Sequence, residues 1–427
     1  AVDNFPVSGL LMPPEFIRAL AMVKQAAARA NADLGLLPGG IADAIARAAG
    51  DVIDGRLASQ FVVDVFQTGS GTSTNMNMNE VLSSRANEIL TGKKGGKTPV
   101  HPNDHVNLGQ SSNDVIPTTI HLAAMAQLRG HLDPALRGLQ QSLEEKTLAF
   151  GDVRKIGRTH LQDAVPMTLG DEFSGYARQI ELARDRFSGL EGRLAELALG
   201  GTAVGTGLNT HPEFAARVIA ALATATGFAF KEATNHFQAQ ASQDTAVELS
   251  GALKTMGVAL VKIANDLRWL ASGPRCGLGE INLPGLQPGS SIMPGKVNPV
   301  IPEAVIQAAA QVMGNDTVIA LSGQSGNFEL NVMLPVTAYN LLQSLRLMAA
   351  AAELLHRKCI AGISANRERC AASIEQSLAL ATGLVPHIGY DRAAAIAQEA
   401  YQSGRTIRAV VREHQLLDEG TLEKALS

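Results

Sequence analysis

A mainly α-helical chain of three domains, built round a long central bundle of helices, is what this sequence predicts, and three observations predict it. Apolar residues recur at alternating steps of three and four at Phe173, Tyr176, Ile180, Ala183, Phe187, Leu190, Leu194 and Leu197, and again at Ala246, Leu249, Leu253, Met256, Leu260, Ile263, Leu267 and Leu270. A mean step of about 3.5 marks long helices packed almost parallel, knobs into holes. Of the 427 residues, 46% are hydrophobic and 18% charged, the balance of a globular chain with a sizeable core. Turn signals gather before about residue 110 and after about residue 367, with the long periodic stretches between them.

In chain order, residues 1–110 mix short helical pieces with the turn runs "LLPGG" and "TGKKGGKTPVHPND", and read as an N-terminal domain. Residues 111–367 read as the bundle domain. A stripe at Ile120, Ala124, Leu128 and Leu132 opens it and is interrupted at Pro134. After the two long stripes come "EAVIQAAAQVM" and, following Pro335, "YNLLQSLRLMAAAAELLHRKC", each with a helical pattern. Residues 368–427 carry shorter helical patterns broken by "HIGYD" and "EHQLLDEG". Seams this narrow on helices this long leave apolar faces bare in a lone chain, so a symmetric oligomer is expected; the competing reading folds the stripes back on one another.

Several function classes fall away. A formal net charge of -4, with lysine and arginine dispersed, provides no basic stripe for nucleic acid, and no run of about 18 apolar residues offers a membrane span. Cys276, Cys359 and Cys370 are odd in number and lack C-x-x-C spacing, which argues against a disulfide framework and a zinc site. With no charged-then-apolar leader after Ala1, a reducing cytoplasmic compartment is the simplest expectation. "GGKT" at 95–98 invites a phosphate-loop reading, but Thr91 stands where the motif needs its first glycine. "TGSGTST" at 68–74 has Thr74 where a dinucleotide fingerprint needs its third glycine.

Four polar runs remain, each at the edge of a helical stretch: "TGSGTSTNMNMNE" (68–80), "HPNDHVNLGQSSND" (101–114), "GRTHLQDAVPMT" (157–168) and "GSSIMPGKVNPVIPEAV" (289–305). Hydroxyls and amides at helix N-termini bind anions without a large net charge, because the backbone N–H groups there are unpaired and the dipole end is positive. In "GQSSND", Ser111, Ser112 and Asn113 are N-cap types ahead of an apolar helix, with Pro117 expected in its first turn. Taken singly, each run reads as capping; together they suggest a site. His160 lies in "RTHLQD" and Glu303 follows Pro302 at an apparent helix start. A carboxylate-oriented histidine is a workable general base, though nothing in the residues alone pairs these two.

At this point the runs carry a resemblance. "GSSIMPGKVNP" resembles the signature loop of the fumarase/aspartase superfamily, and the other three runs are similar to its remaining active-site segments in the same order, over essentially the whole chain. Within it, "TGSGT", "HPND", "QSSND", "GRTHLQDA", "GGTAVGTGLNTHPEF" and "SGNFELNV" resemble class II fumarate hydratases, where aspartases tend to show "GGAGT" and "QSTND". The stretch "VNPVIPEAV" is closer to the aspartases.

The resemblance implies reversible hydration of fumarate to (S)-malate by anti addition, in a homotetramer whose sites are each shared between three chains, with no metal and no organic cofactor. It implies that Ser290 removes the C3 proton of malate and that Lys296 and Asn298 stabilise the aci-carboxylate. His160, oriented by Glu303, would serve the hydroxyl side. Ser70, Gly71, Thr72, Ser111, Ser112, Asn113, Thr159 and Ser291, with Lys296, Val297 and Asn298, match positions that hold the dicarboxylate. His101, Pro102, Asn103 and Asp104 match a peripheral dicarboxylate site, with Lys97 the nearby cation where relatives often carry an arginine. The rivals are aspartate ammonia-lyase, a non-catalytic helical scaffold and a phosphate-binding protein using "GGKT".

Overall fold

A computed structural model describes residues 1–426. The chain opens with α1 (Pro14–Asp33), α2 (Gly39–Ile53) and α3 (Thr72–Thr91), each longer than the short pieces expected there. α1 holds its length because alanine fills seven of its positions, the residue that pays least to enter a helix. Next come α4 (Ser112–Gln127), α5 (Asp133–Ala149) and a hairpin of β1 (Arg154–Thr159) and β2 (Gln162–Thr168). α6 (Leu169–Leu194), α7 (Phe214–Thr226), α8 (His236–Ala241) and α9 (Asp244–Leu270) lead to an irregular stretch before α10 (Val300–Gly323) and α11 (Leu334–Leu354). The chain closes with α12 (Arg367–Gln376), α13 (Ala381–Ile388), α14 (Tyr390–Ser403), α15 (Ile407–Glu413) and α16 (Glu419–Ala425).

Two prolines behave differently from expectation. Pro134 does not interrupt the third stripe: a five-residue π-helical turn, Leu128–Leu132, keeps Leu128 and Leu132 buried, and α5 begins at Asp133 with Pro134 in its first turn. There the missing N–H costs no hydrogen bond. Pro117 lies one turn deeper in α4 than expected, because Ser111 rather than a later residue caps the helix.

The chain divides into two compact units, each assembled from separated stretches. Unit 1 comprises Ala1–Ala135, Ala183–Val258 and Gln307–Ala351. In it α1 packs against α2, α4 and α7, burying Phe16, Leu20, Val23 and Ala27. Unit 2 comprises Leu136–Leu182, Ala259–Ile306 and the chain from Ala352 onward. In it α12 packs against β1, and the terminal helices gather round Leu384, Ile396, Val410, Val411 and Leu422. Every residue of the two long stripes is buried within the single chain, so the stripes themselves leave no bare seam. The apolar residues α9 and α10 expose are others, among them Val258, Trp269 and Leu321. Among the described residues, no helix is long and apolar enough to cross a membrane.

Candidate active site

In unit 1 the first two polar runs build one pocket at the N-termini of α3 and α4. Gly71 caps α3 in the left-handed conformation, at φ 74°, which a glycine adopts without strain. Gly69 is required for a different reason: a Cβ there would sit 1.8 Å from the Val332 carbonyl oxygen, and the Leu334 N–H donates to the Gly69 carbonyl at 2.9 Å. Between these glycines, the Ser70 and Thr72 hydroxyls share a 2.8 Å hydrogen bond. Ser111 caps α4; its Oγ accepts from the Asn113 N–H, and its own N–H donates to Asp114 Oδ1 at 2.9 Å. The Asn113 amide donates to the carbonyls of Ala203 at 2.6 Å and Glu329 at 2.8 Å, tying α4 to the short hairpin that carries "GNFELN".

Ser70, Thr72, Ser111, Ser112 and Asn113 therefore line a single pocket, closed on another side by Asn327, Phe328, Glu329 and Leu330. Gly71 is buried beneath it against Ile116. Two helix N-termini and a ring of neutral donors suit a carboxylate. Below them Asp114 is fully buried; burial pushes it up to about 6, against the pull of N–H donors from Ser111, Thr202 and Gly200.

Unit 2 holds the other two runs. The β1–β2 hairpin turns on two residues, His160 and Leu161, both left-handed, at φ 57° and 60°. A two-residue turn with both φ positive is the mirror-image turn that fits strand twist, and it normally selects asparagine and glycine. A histidine and a leucine there carry backbone strain, a mark of functional positions. Thr159 and His160 are exposed at this tip.

The loop 289–298 is closed at its base. The Gly289 N–H donates to the Lys296 carbonyl at 2.9 Å, and the Asn298 amide donates to the Gly289 carbonyl at 2.6 Å. Inside the closure, Ser290 Oγ accepts from the backbone N–H groups of Ile292, at 3.2 Å, and Met293, at 3.0 Å. That pair of N–H donors stabilises an oxyanion at Oγ. Ser291 is exposed, while Lys296, Val297, Asn298 and Glu303, in the first turn of α10, line a second pocket. Among the described residues, His160 and Glu303 make neither a hydrogen bond nor an ion pair with each other.

"HPND" forms a self-capped turn in unit 1. His101 Nδ1 accepts from the N–H groups of Asn103 and Asp104, Pro102–Val106 form a π-helical turn, and the His101 N–H donates to His105 Nδ1 at 2.9 Å. Lys97 is exposed beside it.

Sequence reasoning missed Asn75, Asn107 and Gln110, which also line the unit 1 pocket, and Lys24, which supports it from beneath. A signal existed for Asn75: with Asn79 it puts two asparagines one turn apart on the buried face of α3. Lys24 had one too, as the lone charge on the apolar stripe of α1.

The lyase family pattern matches residues 10–314, and the fumarase C C-terminus pattern matches residues 380–427. The chain is 56% identical over 408 residues to a class II fumarate hydratase of Nitrosomonas europaea, covering 96% of this chain and 88% of that one. Among solved structures it is similar to the class II fumarase of Schistosoma mansoni, at TM-score 0.95 and 40% identity, covering 100% of this chain and 92% of that one. It is likewise similar to the fumarate lyase:delta crystallin of Brucella melitensis, at TM-score 0.94 and 48% identity, covering 100% and 93%. With two family patterns, a relative above half identity and the same fold, this chain belongs to the class II fumarate hydratases, a family of lyases.

Proposed function

We propose that this chain reversibly hydrates fumarate to (S)-malate. The observation that carries the reading is Ser290, whose Oγ already accepts two backbone N–H bonds in a loop that presents Lys296 and Asn298. Those donors lower the cost of an alkoxide, so Ser290 can take the C3 proton of malate. The electron pair left at C3 moves into the adjacent carboxylate, where Lys296 and Asn298 meet the second negative charge of the aci-carboxylate. Collapse of that intermediate expels the C2 hydroxyl, which leaves as water with a proton from His160, oriented by Glu303. Ser290 and His160 act on opposite faces, so the addition is anti.

Ser70, Thr72, Ser111, Ser112 and Asn113 hold one carboxylate at the helix N-termini, with Gly71 shaping the turn; Thr159, Ser291 and Val297 complete the enclosure. Because His160 and Glu303 do not touch within one chain, their pairing calls for a second copy, and a homotetramer with each site shared between three chains meets that need. Three free cysteines, two of them buried, fit work in a reducing cytoplasm.

The test adds fumarate to the purified protein with and without ammonium and follows loss of the ultraviolet absorbance of the conjugated double bond. Loss without ammonium, with malate as product, is expected. Turnover that requires ammonium would overturn the reading in favour of aspartate chemistry.

A further inference from the structure

α1 buries one face with residues four, three and four apart: Leu20, Lys24, Ala27 and Asn31. A lysine at such a position is costly, since an ammonium ion removed from water must be compensated or it destabilises the fold. Lys24 is 0% exposed, and among the described residues it has no carboxylate within ion-pair distance. Its Nζ donates instead to a neutral amide, Asn107 Oδ1, at 2.8 Å. That oxygen also accepts from Asn75, at 3.3 Å, and Asn79, at 3.2 Å, while the Asn107 amide donates to the Gln110 carbonyl. Asn75 donates in addition to Ser112 Oγ at 3.0 Å. One turn-pair along α1, Asn31 grips the same segment through the Leu108 carbonyl at 3.0 Å.

A relay of polarised amides thus runs from the buried ammonium to a hydroxyl on the pocket wall. With its oxygen accepting from Asn75, Ser112 points its own hydrogen elsewhere, free to donate to a ligand. The other polar residues on that wall, from Ser70 to Asn113, are uncharged, and the one carboxylate of the lining, Glu329, is solvent-exposed. The one buried carboxylate whose charge reaches Lys24, Asp114, forms no ion pair with it, and a bound carboxylate would bring a second negative charge to the same side of the fold.

We infer that Lys24 is a positioning residue that supplies the buried counter-charge for the substrate carboxylate seated at the N-termini of α3 and α4, acting through Asn107, Asn75 and Ser112. The inference rests on the hydratase reading for the identity of the substrate. It makes Lys24 a group retained for binding at the expense of stability.

The test compares wild type with Lys24→Gln, which keeps a donor to Asn107 but no charge, and Lys24→Met, which keeps neither. KM and kcat for fumarate and malate are measured, with calorimetric binding of succinate as a readout independent of turnover, and Tm. For both variants we expect KM and the succinate Kd to rise about tenfold or more, kcat to change less than about threefold, and Tm to hold or increase. Unchanged KM and Kd in a folded variant, or a variant that fails to fold, would overturn the inference by making Lys24 structural. Wild-type protein that binds succinate yet does not hydrate fumarate would instead overturn the hydratase reading, leaving the succinate comparison to decide on Lys24.

Discussion

Ser290 and Lys24 are placed by opposite physics, one at a solvent-facing loop and one in a dry core, and each yields its own expectation. On the proposed mechanism, replacing Ser290 by alanine removes the group that takes the C3 proton and leaves the carboxylate contacts in place. A fall in kcat of about a hundredfold or more, with KM within a few-fold, is expected in steady-state kinetics, and near-normal kcat would put the base elsewhere. For Lys24, burial lowers the pKa from 10.5 to about 7, opposed by the charge of Asp114. The unfolded chain therefore binds more protons than the folded one between those values, so the contribution of Lys24 to stability is present in full above 10.5 and is lost as pH falls through about 7. Urea unfolding should show Lys24→Met most stabilised relative to wild type near pH 7 and below, with the gap narrowing toward pH 10. A gap independent of pH would mean that Lys24 keeps in the core the pKa it has in water, so that burial does not oppose its charge. Ser290 was legible in the sequence because its loop is a contiguous run of residues. Lys24 showed in the sequence only as a lone charge on the stripe of α1; the role proposed for it depends on Asn107 and Asn75, which meet it only through packing.

At the scale of elements, the proposed mechanism assigns the chemistry to two short segments, and both are backbone devices. The loop 289–298 depends on Gly289, where a Cβ would lie 2.1 Å from the Lys296 carbonyl oxygen. Gly289→Ala must therefore open the closure that aims two N–H groups at Ser290. A loss of kcat/KM of about a hundredfold is expected, with far-UV circular dichroism and Tm unchanged because the loop lies outside the core. Equal losses of activity and stability would show the loop to be structural. The hairpin tip at His160 and Leu161 is the second device, a left-handed pair that only the folded structure reveals. Long elements were the legible ones: α6 and α9 follow stripes whose period is fixed by side-chain burial. Their ends and the proline positions were less so. Whether Pro134 breaks a helix or starts one depends on a π-helical turn that leaves no periodic mark.

For the whole molecule, the stripes that suggested an oligomer prove to be satisfied inside one chain, and the case for assembly passes to chemistry. The histidine and the glutamate that the proposed mechanism pairs make no hydrogen bond or ion pair with each other within one chain. If the proposed tetramer forms, coexpression of His160→Asn and Glu303→Gln chains is expected to restore roughly a quarter of wild-type activity, since mixed assemblies hold some sites with both residues native. No recovery beyond the separate variants would place both residues of a site on one chain. The most direct test of the central claim, hydration by anti addition, is proton NMR of the product formed from fumarate in deuterium oxide. The expected product is malate bearing one deuterium at C3, as the single diastereomer of anti addition; a mixture of diastereomers, or no malate, would contradict it.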